Sequence, residues 1–137
     1  MKYFVLFVLA VSAFSYALAQ GSDYRVVFDM TSRDSLDQKA VMRWVKEIAK
    51  ANPKAELEVV MYGKGFELVM PEKSTVLADV KEVIRMPGVS LRVCKVALKN
   101  NNVDEKMLVE GVGTVPDGIY EIIAKQRAGW GYIKVAH

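Results

Sequence analysis

The chain has 137 residues, with 19 Lys or Arg against 16 Asp or Glu, a formal net charge of +3. So even a balance lacks the strongly basic patch of a nucleic-acid-binding domain. One cysteine, Cys94, and one histidine, the terminal His137, exclude an intrachain disulfide, a zinc ligand cluster, and Ser-His-Asp or Cys-His catalysis. Neither a hydrolase nor a metalloenzyme signature is present, and no cofactor is expected.

Met1 and Lys2 lead into the apolar run YFVLFVLAVSAFSYALA, which ends with Ala17 and Ala19 placed as an A-x-A cleavage pattern before Gln20. This reads as a secretory signal peptide over residues 1–19, which makes the protein exported, periplasmic or secreted. The competing reading is an uncleaved anchor. The run is interrupted by Ser12 and Ser15 and is shorter than the roughly 20 apolar residues a spanning helix needs, so no membrane association is expected after cleavage. Removing 19 of the 137 residues leaves 118, residues 20–137, enough for one domain with a core and too few for two.

From Arg25 the segment RVVFDM is a β-branched and aromatic run suited to a buried strand. A polar loop, Thr31 to Ser35, precedes a helix with Leu36, Ala40, Val41, Trp44, Val45 and Ile48 at helical spacing, closing near Asn52 and Pro53. Trp44 reads as a core anchor. A second strand runs from Leu57 to Tyr62 and is punctuated by Gly63 and Gly65, which admit a tight turn or a close backbone approach. The spacing is not that of a phosphate loop. Phe66 to Met70 fits a helical turn or a short strand. Val76, Val80, Val83 and Ile84 describe a second helix, ended by Pro87 and Gly88.

Val89 to Val93 is the third strand, with Cys94 at its exit. Val96 and Ala97 begin a short helix that stops at Asn100 to Asn102, residues that cap and turn. Val103 to Val109 predicts another brief helix. Gly111 to Pro116 is a glycine-broken fourth strand or extended loop, and Asp117 caps a helix carrying Ile119, Tyr120, Ile122 and Ile123. WGYIKV closes the chain as a last strand. Trp130 and Tyr132 on it are expected in the core or at a subunit contact.

Strands alternating with helices argue for a three-layer α/β/α domain with a mostly parallel sheet. Ligands gather at the carboxyl ends of such strands, so Cys94, the loop from Met30 to Ser35 and the turn from Gly63 to Gly65 are expected to share a cleft. A strand-to-helix turn aims free N–H groups and a positive dipole end at its first residues, which favours a thiolate; Arg92, Lys95 and Lys99 add positive charge. The bland alternative is a buried cysteine acting as a small hydrophobe. The acid pairs Glu56 and Glu58, and Asp104 and Glu105, read as solvated surface.

Over nearly everything after Gln20, the chain resembles the DsrE/DsrF-like family of small α/β proteins. The resemblance runs through RVVFDM, VVMYGKGFELV, LRVCKVALKNNNV and GWGYIKV. It implies a five-stranded parallel sheet and assembly into homo-oligomers, trimers or hexamers. It also implies a sulfur-relay role in which Cys94 carries a persulfide between a sulfur donor and an acceptor protein, a sulfurtransferase-like carrier at most. The relay members work in the cytoplasm, whereas this chain carries an export pattern. The alternative is a non-catalytic oligomeric binding or structural protein with a buried or redox-sensing cysteine.

Overall fold

A computed structural model describes residues 24–136. The signal-peptide expectation for residues 1–19 and the placement of His137 lie outside the described residues. The elements follow one another as β1 (Arg25–Met30), α1 (Ser35–Ala51), β2 (Glu56–Met61), a 3₁₀ helix (Gly65–Val69), α2 (Leu77–Val83), β3 (Val89–Cys94), α3 (Lys95–Asn100), a 3₁₀ turn (Glu105–Met107), β4 (Gly113–Val115), α4 (Gly118–Arg127) and β5 (Gly131–Lys134). All five strands are parallel, in the order β4-β3-β2-β1-β5.

That order explains the layers. From β1 to β4 the chain steps one way across the sheet, and right-handed crossovers put the intervening helices on one face. The last crossover returns from β4 to β5 at the far edge, so the same handedness sends α4 to the opposite face. One face therefore has several helices over it, and the other has a single helix of ten residues.

Side-chain alternation distributes the chemistry accordingly. Val26, Phe28 and Met30 of β1, Leu57, Val59 and Met61 of β2, and Leu91 and Val93 of β3 join one buried apolar cluster. Val41, Met42 and Val45 of α1 and Val80 and Val83 of α2 complete it. On the other face the apolar core shrinks to Val27, Val60 and Ile122, with Tyr62 and Trp130 packed against them. Between these sit polar strand residues: Asp29, Glu58, Ser90 and Arg92.

Local signals account for the helix ends. Asp34 caps α1 by accepting from the Leu36 amide at 2.7 Å, and Asp117 caps α4 by accepting from Ile119 and Tyr120 at 2.9 and 3.2 Å. Asn102 takes a positive φ of 53° just past α3, a conformation asparagine tolerates. Two expectations need correction. Val103 to Val109 does not form a helix beyond the 3₁₀ turn at Glu105–Met107, because the run after α3 lacks the length to bury an apolar face. Glu58 is not solvated surface: it is 4 % exposed, since its strand position faces the sheet side beneath α4.

Candidate functional site

Cys94 ends β3 and serves as the residue before α3, with extended φ and ψ of −66° and 120°. Its connection leaves toward the many-helix face, while the connection from the neighbouring strand β4 leaves toward α4. Adjacent strands whose connections part in this way open a crevice at their carboxyl ends, and ligands of open α/β sheets bind there. Cys94 lies at that switch point.

The crevice is a cavity of about 290 Å³ with Cys94 in its wall. Tyr62 and Gly63 come to it from the end of β2, Ala97 and Asn101 from α3, and Asp117 and Ile119 from the start of α4. Two of its polar residues are already engaged. Asn101 accepts from the Lys64 ammonium at 2.5 Å and donates to the Ala97 carbonyl at 2.7 Å, and Asp117 holds the first amides of α4. The thiol is 5 % exposed. Gly118 packs closely against it: a Cβ there would stand 3.1 Å from the Cys94 Cβ, 3.3 Å from the Tyr62 Cβ and 3.3 Å from Val60 Cγ1. Only a residue without a side chain lets α4 approach the sheet this closely.

The residues expected from the sequence are distributed as follows. Gly63 lines the cavity, at a φ of +57° that suits glycine. Gly65 packs under β1 instead, where a Cβ would fall 2.0 Å from the Met30 carbonyl oxygen. Lys95 is turned to the surface and pairs with Glu105 at 3.4 Å. Arg92 is two residues before Cys94 on the same sheet face and lays its guanidinium across Gly113. The short helix expected after Cys94 spans six residues, and its dipole is correspondingly short. Of the two loops expected to share a cleft with Cys94, the Gly63 turn does so; the loop from Met30 to Ser35 does not line the cavity, and its Thr31 is only tied to that turn by the Lys64 amide, which donates to its carbonyl at 3.2 Å.

Beside Tyr62 lies a polar cluster that spacing did not reveal. Asp29 is 4 % exposed and accepts from the Tyr132 hydroxyl at 2.5 Å and from the Lys134 ammonium at 3.2 Å. Lys134 also donates to Thr31 Oγ1 at 3.0 Å and stands 5.8 Å from the Tyr62 ring centroid. Burial and a hydrogen bond to Asp29 push the Tyr62 phenol up to about 12. The hydrogen bond to Asp29, then burial, does the same for Tyr132. A carboxylate near the end of a buried strand, Asp29 in RVVFDM, was the available sequence signal. The Trp130 ring lies under Lys125, 4.2 Å from its ammonium.

Among the described residues no group of three or more His, Cys, Asp or Glu side chains is placed to hold a metal ion, and no helix is long and apolar enough to cross a membrane.

A parallel five-stranded sheet with one cysteine at its switch point narrows the class to small α/β proteins with a candidate thiol site. The DsrE/DsrF-like family model matches residues 11–135, and the chain belongs to that family. It is also similar to the solved structure of MTH1491, a protein of unknown function from Methanobacterium thermoautotrophicum. The identity is 30%, over 82% of this chain and 99% of that one, with a TM-score of 0.76. No curated protein matches the chain.

Proposed function

We propose that this protein is an exported sulfur carrier whose Cys94 accepts sulfur as a persulfide and passes it on. The single observation that carries the reading is the position of the chain's one cysteine in the wall of the switch-point cavity. Family membership, with the sulfur relay it suggests, supports the same reading.

The chemistry is thiol exchange without net oxidation. The Cys94 thiolate attacks the outer sulfur of a donor persulfide, forming a new S–S bond as the donor's own S–S bond breaks and the donor leaves as a thiolate. An acceptor thiolate then attacks the outer sulfur on Cys94, and Cys94 leaves as thiolate. Gly63 and Tyr62 bound the space into which the outer sulfur projects. Arg92 and Lys95 are too far engaged elsewhere to be assigned to the sulfur. Export rests on the pattern in residues 1–19, which N-terminal sequencing of the mature protein tests at Gln20. Assembly into a trimer or hexamer is part of the proposal and is read by sedimentation equilibrium.

Mass spectrometry after incubation with a small persulfide donor is expected to show one added sulfur on the wild type and none on Cys94→Ser. Equal labelling of both ends the reading. A second reading has its own observation: at 5 % exposure, Cys94 is buried enough to be a packing residue in a non-catalytic oligomeric protein. Alkylation of Cys94 only at the rate of global unfolding would favour it.

A further inference from the structure

The sheet face beneath α4 holds a charged cluster that the sulfur chemistry does not use. Glu58, on β2, is 4 % exposed, and its Oε2 accepts from the Lys125 ammonium at 3.0 Å and from the Ser90 hydroxyl at 3.1 Å. Its other oxygen, Oε1, is buried without a hydrogen-bond partner among the described residues. Lys125 also pairs with Glu121 one helical turn back, at 3.8 Å. Glu58 at 3.0 Å and Glu121 at 3.8 Å thus share the one lysine ammonium, two carboxyl groups on a single partly buried cation. Two carboxylates on one ammonium repel each other, and a proton kept on Glu121 relieves that repulsion.

This cluster sits in the middle of α4, and the start of the same helix covers the thiol. Gly118 is pressed against Cys94, while Asp117 and Ile119 line the Cys94 cavity. Apart from the cluster, α4 is anchored by little: Ile122 is its one large buried side chain, and Ile119, Tyr120 and Ile123 are exposed. We propose that Glu58, Glu121 and Lys125 form a pH-sensitive clamp that seats α4 on the sheet and so sets how readily Cys94 is reached.

The charged and polar neighbours from each packed element fix the direction. Arg92 on β3 and Lys125 on α4 favour the ionised Glu121; burial and the Glu58 carboxylate favour the protonated form more strongly, and its pKa is raised. Ser90 on β3 holds Glu58 Oε2, Trp130 lies against Lys125, and Arg25 on β1 stands beside Gly129 at the far end of α4. Below the ordinary glutamate range, Glu121 is protonated whether the helix is seated or not. As pH rises through and above that range, the seated helix binds a proton that the released helix gives up, so the clamp weakens with rising pH. As a control on sulfur transfer, the clamp rests on the reading of Cys94 above; as a control on access to the thiol, it does not.

The test therefore uses readouts independent of sulfur. In Glu121→Gln the amide keeps a donor for Glu58 and has no proton to lose. Urea midpoints measured from below the ordinary glutamate range to mildly alkaline pH should fall in the wild type as pH rises above that range, and lose that fall in Glu121→Gln. At mildly alkaline pH, native-state alkylation of Cys94 should be slower in Glu121→Gln than in the wild type, by about tenfold for each unit by which folding raises the Glu121 pKa. Lys125→Gln removes a charge that favours ionisation, and should move the wild-type step to higher pH. Parallel urea profiles with equal alkylation rates in wild type and Glu121→Gln would overturn the clamp, as would an unmoved step in Lys125→Gln. Loss of persulfide loading with the clamp profiles intact would instead count against the sulfur reading alone.

Discussion

Val26, Phe28 and Met30 leave β1 on one side and meet a layer of helices; Val27 and Asp29 leave it on the other and meet one. The first side is stabilised by the area of apolar surface it removes from water. The second depends on whether each buried charge finds its partner: Asp29 with Tyr132 and Lys134, and Glu58 with Lys125 and Ser90. On the first face β1, β2 and β3 present Val, Phe, Met and Leu side chains, none of which can gain or lose a proton. On the second face a proton gained or lost changes the fit of a buried polar group, and the helix covering this face, α4, also packs Gly118 against Cys94, a residue that belongs to the first cluster.

The largest effect is expected on the apolar side. Phe28, fully buried, should cost about 3–5 kcal/mol when replaced by Ala, read as a lowered urea midpoint with no change in slope. On the polar side Asp29→Ala should cost less, about 1–3 kcal/mol, because it leaves Tyr132 and Lys134 without their shared acceptor. A loss for Asp29→Ala equal to that for Phe28→Ala would contradict the contrast between the faces.

Alkaline pH separates them further. Tyr62 and Tyr132 have an ordinary pKa of 10.0, raised to about 12 in the folded protein. Their contribution is therefore complete below the ordinary value and is lost as pH rises through the folded one. Stability followed by circular dichroism should fall across that interval, and Tyr132→Phe should shrink the fall by removing one of the two phenols. The smallest effect belongs to Gly118→Ala. The added methyl would stand 3.1–3.3 Å from Cys94, Tyr62 and Val60, so α4 or these neighbours must shift by a few tenths of an ångström. Stability should change by no more than about 1 kcal/mol, since alanine's better helix propensity offsets the lost fit, yet Cys94 should alkylate faster.

The strands and α1 were legible because their apolar residues recur with the period of the element, from RVVFDM to the Val41, Met42 and Val45 face. The cysteine's place at a strand end was legible for the same reason. What period could not supply was the direction of the last crossover, and with it the fact that Glu58 and Arg92 lie beneath one helix. Alternation says that Glu58 and Leu57 point to opposite faces and leaves open which face is covered. The cavity wall was not legible because Tyr62, Asn101 and the Asp117–Ile119 segment lie in three different crossovers, which meet only when the sheet order is known. Lys95, adjacent to Cys94 in sequence, proved a surface partner of Glu105.

The clamp requires that lifting α4, without opening of the strands, makes Cys94 more reachable. Native-state alkylation of Cys94 across low urea concentrations, set beside hydrogen exchange of backbone amides, measures the opening that exposes it. The account predicts an opening free energy and urea dependence for the thiol that match the amides of α4 and lie well below those of β1 and β2. An opening that matches the strand amides, with the urea dependence of global unfolding, would contradict it.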